Sequence, residues 1–407
     1  MFRLTCKIAW ASLVHRRTRS ILVILMIAIS LWGLFFMQGI YDGMTEQMIN
    51  NAIRSDSGHI SLFAQGYRLD PDLSRQIKNS GAIDSFLDDD NRVSSHVQRL
   101  KQDGLIATAH YSRGVMIFGV NLAAEKNQGR LNSYIHQGEF SFGRKNRGTI
   151  IGFKLADKLK VRIGSKIILS AQNIHEEVSA TPLKVTGILK TNNIALDENA
   201  VFLSAKKARK LLALKEGISQ VAILLHDETQ IGALQKDLQS HFPHLEVLRW
   251  DELYPALMQS RVMMEGFNMI TSLLIFCVAA LGIFGVMLVS VLERLREFGI
   301  MLAIGTRFSQ IRNIIFIESF FLGFIGFCFG SLAGGTTLYY FKMNGLDLSM
   351  FNDAFEEIGM DAITYAVIRP NYFVMALAAV MLATFISVLI PLRILKRSNP
   401  IEAINKV

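Results

Sequence analysis

Cysteine is scarce in this chain: Cys6, Cys277 and Cys328 are the only three in 407 residues, and none falls between 42 and 265. That long segment is therefore not held by disulfides, and no Cys/His cluster has the spacing of a metal site. A G-x-x-x-x-G-K-S/T phosphate loop is missing too, which excludes ATP hydrolysis by the P-loop route and places any ATP-derived energy in another polypeptide. Neither a G-x-S-x-G elbow nor a His-Glu-x-x-His pair surrounds His59, His136, His226 or Glu125. These read as scattered polar residues, no catalytic residue is assigned, and the chain is read as a non-enzyme.

Charge is also sparse, at 19% of residues against 51% apolar. Together with a positive mean hydropathy, this is the composition of an integral membrane protein. Ionisable residues are absent near the centres of the apolar runs 20–40, 267–292, 314–341 and 371–392. Each run can cross a bilayer core of roughly 30 Å, which takes about 20 helical residues. No acid precedes Asp42, whereas Arg3, Lys7, Arg16, Arg17 and Arg19 stand before the first run, so the N-terminus is expected in the cytoplasm. That run reads as an uncleaved anchor, because it is long, carries Trp32, Phe35 and Phe36, and lacks a small-x-small cleavage site.

The remaining loops agree with that orientation. Arg294, Arg296, Arg307 and Arg312 follow the second run, and Arg393, Lys396, Arg397 and Lys406 follow the fourth. The 342–370 loop instead holds Asp347, Asp353, Glu356, Glu357 and Asp361 against Lys342 and Arg369. Both termini are thus expected inside, and the formal charge of +9 is explained at membrane edges without nucleic acid as a partner.

The fold class expected is a membrane protein with four transmembrane helices and a large α+β extracytoplasmic domain between the first and second. Its segments are 1–19 (cytoplasmic amphipathic), 20–40 (first helix), 41–265 (outer domain with stalks) and 266–292 (second helix). They continue as 293–313 (cytoplasmic), 314–341 (third helix), 342–370 (short outer loop), 371–392 (fourth helix) and 393–407 (cytoplasmic tail). Met44, Met48, Ala52 and Ile53, beside Ile49, recur at helical spacing. They predict either a stalk that continues the first helix to Ser57-Gly58 or a helix packed on its own domain. Strand-like runs fall at 59–63, 114–120, 149–152, 166–170, 183–189, 200–203, 221–225 and 245–248, and helical ones at 70–79, 93–102, 204–214 and 228–240. A last helix is expected from Trp250-Asp251 straight into the second membrane helix. From 251 to 292 it would be roughly 60 Å long at about 1.5 Å per residue.

Between the second and third runs the chain reads Glu293-Arg294-Leu295-Arg296-Glu297-Phe298-Gly299, followed by Met301, Ala303 and Gly305. Glu293 with Arg296, and Arg294 with Glu297, are three apart and can pair on a helix, while Phe298, Met301 and Leu302 offer an apolar side. This segment resembles the E-R-x-R-E-x-G-x-x-x-A-x-G stretch of the MacB/FtsX-like permeases of ABC transporters. The outer segment resembles their lipoprotein-releasing (LolC/LolE-type) branch at Gly58-His59-Ile60, Gly66-Tyr67, Gly119-Val120 with Glu125, and Gly138. Further landmarks are Ile151-Gly152 with Leu155-Ala156, Val161 with Gly164, Val185 with Gly187, and Trp250-Asp251-Glu252-Leu253 with Pro255. Pro391 and the ending Asn399-Pro400-Ile401-Glu402-Ala403-Ile404 fit the same family, whereas Asn121-Leu122 stands where relatives read Asp-Pro.

The resemblance implies a permease subunit in the bacterial inner membrane that works with a separate cytoplasmic ABC ATPase dimer. ATP and magnesium would be used by that partner, with no cofactor or metal bound by this chain. Glu293, Arg294, Arg296, Glu297, Phe298, Gly299, Met301 and Gly305 are implied as ATPase-coupling residues. A second permease protomer, identical or related, is implied beside membrane lipids, with lipoprotein cargo and a periplasmic carrier. Met37, Met44 and Met48 are candidate substrate-lining residues. Efflux of peptides, toxins or drugs, as by MacB, and FtsX-like signalling to a periplasmic hydrolase are the alternatives. Gly323, Gly326, Gly330 and Gly334 allow close helix approach, either within the same four-helix unit or against the second protomer. Glu318, one turn inside the third run, is expected to meet Arg312, one of Arg16, Arg17 and Arg19, or interfacial water, in a structural rather than proton-transfer role.

Overall fold

The computed structural model describes residues 2–15, 17–69, 71–126, 131–143, 145–351, 355 and 360–397. The ending 399–404, Arg16, Lys406 and the loop acids Asp353, Glu356 and Glu357 lie outside the described residues. The chain divides into two compact units, one of residues 1–45, 261–348 and 363–407, the other of 46–260 and 349–362.

The first unit is helical because its sequence is apolar almost all round each helix. The helices Arg17–Ala52, Pro255–Glu293, Phe308–Asn344 and Pro370–Arg397 are long and apolar enough to cross a membrane. In the first, Val23, Ile27, Leu31 and Phe35 recur every four residues and are buried, while Ile21, Leu22, Leu25 and Ile29 remain exposed. The buried stripe meets Ile283 and Met287 of the second helix, Ile315 and Leu322 of the third, and Val380 and Val388 of the fourth in one core. A separate N-terminal helix, Phe2–His15, buries Ala9 and Leu13 and exposes Ile8 and Trp10. Trp10 meets the third helix edge-on at Phe321, 5.9 Å between ring centroids.

The second unit is a ten-stranded mixed sheet with short helices. Its strands are β1 (Ile60–Ala64), β2 (Val93–Ala107), β3 (Ser112–Val120), β4 (Ile135–Gly138), β5 (Gly148–Gly152), β6 (Lys166–Gln172), β7 (Val178–Leu189), β8 (Ala200–Ser204), β9 (Gln220–Leu225) and β10 (Leu245–Arg249). The order is β10-β1-β9-β2-β3-β8-β5-β7-β4, with β6 pairing both β2 and β7. The β3–β8 and β5–β7 pairs are parallel. Helices Ser80–Asp88 and Ile231–His241 cover a core built on Ile60, Leu62, Val221 and Ile223. The 349–362 segment belongs to this unit. There the Asp361 carboxylate accepts hydrogen bonds from the Asn51 amide at 3.0 Å and from Asn192.

Two predicted helices are absent. Val93, Val97 and Leu100 fall at i, i+4 and i+7, which mimics a helix, yet 93–102 is the first part of β2. Pairing with β9 on one edge and β3 on the other overrides the local pattern. Of the predicted helix 70–79, the described residues 71–79 carry turns and an Ile77–Ile218 bridge, and the helix begins only at Ser80. The expected unbroken helix from Trp250 is also interrupted. Trp250–Leu253 is a separate turn and Tyr254 leaves the helical region at φ −118°, ψ 67°. Its position before Pro255 disfavours helical backbone, and that proline opens the next helix at its preferred first position. The 39-residue helix from Pro255 to Glu293 is still about 58 Å long at about 1.5 Å per residue.

At the start of β2 Arg92 joins that strand to the helix Ile231–His241, with Nε 2.9 Å from Asp90 and Nη1 2.8 Å from Asp237. Its guanidinium holds the Asp90 carboxyl below the ordinary carboxylate range. A depressed folded value contributes stability above the unfolded pKa of about 4 and loses it as pH falls through the folded value. Melting temperature is therefore expected to drop as pH falls from about 4 toward 3. Asp90→Asn should melt lower at neutral pH and show a shallower acid slope in the same thermal scans.

Candidate functional site

The second membrane helix ends at Glu293, and Arg294 breaks the helical path at φ −96°, ψ 4°. A short helix, Leu295–Ala303, follows. It stops at Gly305, whose φ of +95° lets the amides of Gly305 and Thr306 reach back to Leu302 and Met301 at 3.0 and 2.9 Å. Glycine is favoured there because side chains make a left-handed cap costly.

At the break, Arg294 Nη1 donates to Glu318 Oε2 at 2.7 Å and Nε to Glu297 Oε2 at 3.2 Å. The second oxygen of Glu318 accepts from Ser12 Oγ at 3.1 Å. Arg294 is 8% exposed and Glu318 6%, so the pair is buried and each charge depends on the other. The expected Glu318 partners are thus corrected: the cation is Arg294, 24 residues away in sequence. Glu293 pairs with Arg19 of the first membrane helix. A single cluster ties the break to the N-terminal helix and the third helix, and a second ion pair ties it to the first.

Phe298 does not face outward as expected. It is 1% exposed, lies in the membrane-unit core and carries the Arg294 guanidinium over its ring at 4.8 Å. Gly299 is buried beside it, and Met301 and Leu302 pack against the same core. The face that remains exposed carries Arg296, Ile300 and Ile304, four residues apart on one side of the helix and its cap.

The glycine stripe of the third helix sits inside the same chain. Ideal Cβ positions at Gly326, Gly330 and Gly334 would meet Ile27 at 2.8 Å, Leu31 at 2.8 Å and Phe35 at 2.6 Å, all on the first membrane helix. Gly323 would meet Thr384 of the fourth at 2.7 Å. Met37 and Met48 are half-buried, and Met44 packs against the membrane-unit core.

Three polar residues singled out in the sequence, Glu125, His59 and His136, make contacts within the outer domain. Glu125 is 1% exposed and chelates Arg99, with Oε1 2.6 Å from Nε and Oε2 2.9 Å from Nη2. His59 accepts from the Leu225 amide at 2.9 Å, and burial pushes its imidazole below the usual value. His136 stands edge-on to Phe153. Among the described residues no group of three His, Cys, Asp or Glu could hold a metal ion. Sequence reasoning missed the Arg294–Glu318 pair. Its signal was a lone acid one turn inside an apolar run beside an arginine-rich turn, since such an acid requires a cation.

Two families match the chain: the MacB-like periplasmic core domain over residues 20–241 and the FtsX-like permease C-terminal domain over 269–400. The lipoprotein-releasing system transmembrane protein LolE of Haemophilus influenzae is 22% identical over 227 residues, 54% of this chain and 54% of that protein, so the match spans about half of that relative. LolC of Neisseria meningitidis is 22% identical over 310 residues, 73% of this chain and 70% of that protein. The crystal structure of the periplasmic region of MacB from Actinobacillus actinomycetemcomitans aligns with 51% of this chain and 95% of its own at 14% identity and a TM-score of 0.35.

Proposed function

We propose that this chain, which belongs to the ABC transporter permeases built from a MacB-like periplasmic core domain and an FtsX-like C-terminal domain, releases lipoproteins from the inner membrane. A separate ATPase dimer hydrolyses ATP beneath two permease protomers, and its closure pushes on residues 293–313. Both termini lie in the cytoplasm on this reading, and the domain of residues 46–260 lies in the periplasm. A lipid-anchored cargo enters from the outer leaflet between protomers, passes Met37, Met44 and Met48, and leaves to a periplasmic carrier. Relatedness to LolC and LolE supports this cargo class.

The observation that carries the mechanical reading is the buried Arg294–Glu318–Ser12 cluster at the helix break. A solvated turn would move by itself, whereas a turn cross-linked to two other helices moves them when it is pushed. The partner meets Arg296, Ile300 and Ile304, the face left exposed. Gly326, Gly330 and Gly334 already seat the first helix of the same chain, so a second protomer packs on other faces.

The test is a mild-detergent pull-down from native membranes with mass spectrometry of proteins and acylated peptides. An ATPase with diacyl or triacyl lipoproteins is the expected result. An adaptor in their place moves the assignment to efflux, a cell-wall hydrolase moves it to signalling, and recovery without any ATPase overturns it. In the purified complex, Arg296→Glu is expected to lower cargo-stimulated ATP hydrolysis about tenfold. Its melting temperature should stay near wild type, because exposed substitutions rarely exceed about 0.5 kcal/mol.

A further inference from the structure

The outer domain meets both of its stalks at one carboxylate. The first stalk leaves regular α-helix at Ala52 and continues as a π-helical turn, Ile53–Ser57, closed by the Gly58 amide on the Ile53 carbonyl at 2.7 Å. Such turns are rare and concentrate at functional places. Gly58 then turns the chain into β1 at φ +64°, where a Cβ would strike the Ile223 backbone at 2.5 Å. The second stalk is broken at Tyr254. Asp56 stands between the two irregularities.

Its Oδ2 accepts from the Tyr254 hydroxyl at 2.7 Å, its Oδ1 is paired with Lys101, and its backbone carbonyl accepts from Arg99 Nη1 at 2.6 Å. Arg99, 1% exposed, is in turn chelated by Glu125. Burial pushes the Tyr254 phenol well above its usual value, so it remains a neutral O–H donor. Buried charge clusters are weak stabilisers, since apolar side chains of similar volume often do as well. What the cluster supplies is one defined geometry linking the π-turn, the Tyr254 break and the middle of β2.

We propose that Asp56 and Tyr254 are positioning residues of the transport stroke: their hydrogen bond locks the two stalks together at the root of the outer domain, so that a stalk displacement becomes a displacement of the sheet. This rests on the ATP-driven motion argued under the proposed function. Without the bond each stalk bends at its own irregular turn and the stroke is absorbed there. The ion pairs of Asp56 with Lys101 and of Arg99 with Glu125 serve the folding of the domain. The hydrogen bond to Tyr254 serves transmission.

The experiment uses the full complex with its ATPase in lipid nanodiscs. Cys6, Cys277 and Cys328 are replaced by serine, and Val178, which is 80% exposed, is replaced by a spin-labelled cysteine on each protomer. Tyr254→Phe is expected to keep ATP hydrolysis within about twofold of wild type, to halve the ATP-dependent change in label distance and to cut lipoprotein release at least fivefold. Asp56→Asn is expected to keep the distance change, because its amide offers Tyr254 a hydrogen-bond partner in either orientation, while melting lower because Lys101 loses its counter-charge. Wild-type distance change and release in Tyr254→Phe overturn the proposal. So does a parallel fall of melting temperature, hydrolysis and release in that variant, which assigns the bond to folding alone. A wild-type complex whose label distance ignores ATP overturns the transport reading itself, and the proposal with it.

Discussion

Glu318→Ala is expected to lower the stability of the membrane unit by about 3–5 kcal/mol, the cost of leaving one member of a buried ion pair uncompensated. Arg294 keeps only the longer contact with Glu297 at 3.2 Å and its place over the Phe298 ring, and it is only 8% exposed. Ser12 Oγ loses its acceptor at the same time. Arg294→Ala should cost about as much from the other side. The informative variant is the double replacement Arg294→Met with Glu318→Leu, which removes both charges and keeps the volume. Buried pairs replaced in this way are commonly neutral or stabilising, so its melting curve in detergent is expected to match wild type. On the proposed function, its ATP-driven cargo release should nevertheless fall about tenfold, because the segment is no longer tied to the third helix. Equal loss of melting temperature and release in the double variant would show that the pair only holds the fold.

Gly330→Val should be nearly as damaging, by about 3 kcal/mol, at the upper end of the usual cost of overpacking. A Cβ at this position falls 2.8 Å from the Leu31 Cβ and 3.1 Å from both the Ala28 Cα and carbonyl oxygen. The backbone of the first membrane helix cannot rotate away as a side chain can, so the two helices must separate along the stripe that also contains Gly326 and Gly334. Gly335→Ala is the matched control, since its Cβ meets only the Phe373 ring at 3.8 Å, an ordinary contact. Thermal unfolding of the two variants in the same detergent is expected to show a large fall for Gly330→Val and little change for Gly335→Ala.

The stripe illustrates which features were legible in the chain and which were not. Four-residue spacing of Gly326, Gly330 and Gly334 marks a close-packing face by itself. It left open which helix fills that face, because any apolar helix satisfies a row of missing side chains. The Tyr254 break was written in the sequence as a residue before proline, but with no glycine or proline between Pro255 and Gly266 a continuous helix was expected. With β2 the local signal was misleading: Val93, Val97 and Leu100 carry a helical period, and only strands brought from more than a hundred residues away at Gln220–Leu225 show why they form a strand.

What the sequence determined by itself was everything that depends on a single segment and its solvent. The apolar runs, their charged flanks, the strand propensities and the E-R-x-R-E turn are local, and burial of apolar surface acts on each without reference to the rest. Tertiary structure decided the partners of charged and irregular groups: Arg294 with Glu318, Asp56 with Tyr254 and Lys101, Arg99 with Glu125, and Phe298 turned into the core. The reason is energetic. A charge or a polar group withdrawn from water must find a complementary group in reach, and which groups come within reach is a property of the packed fold alone.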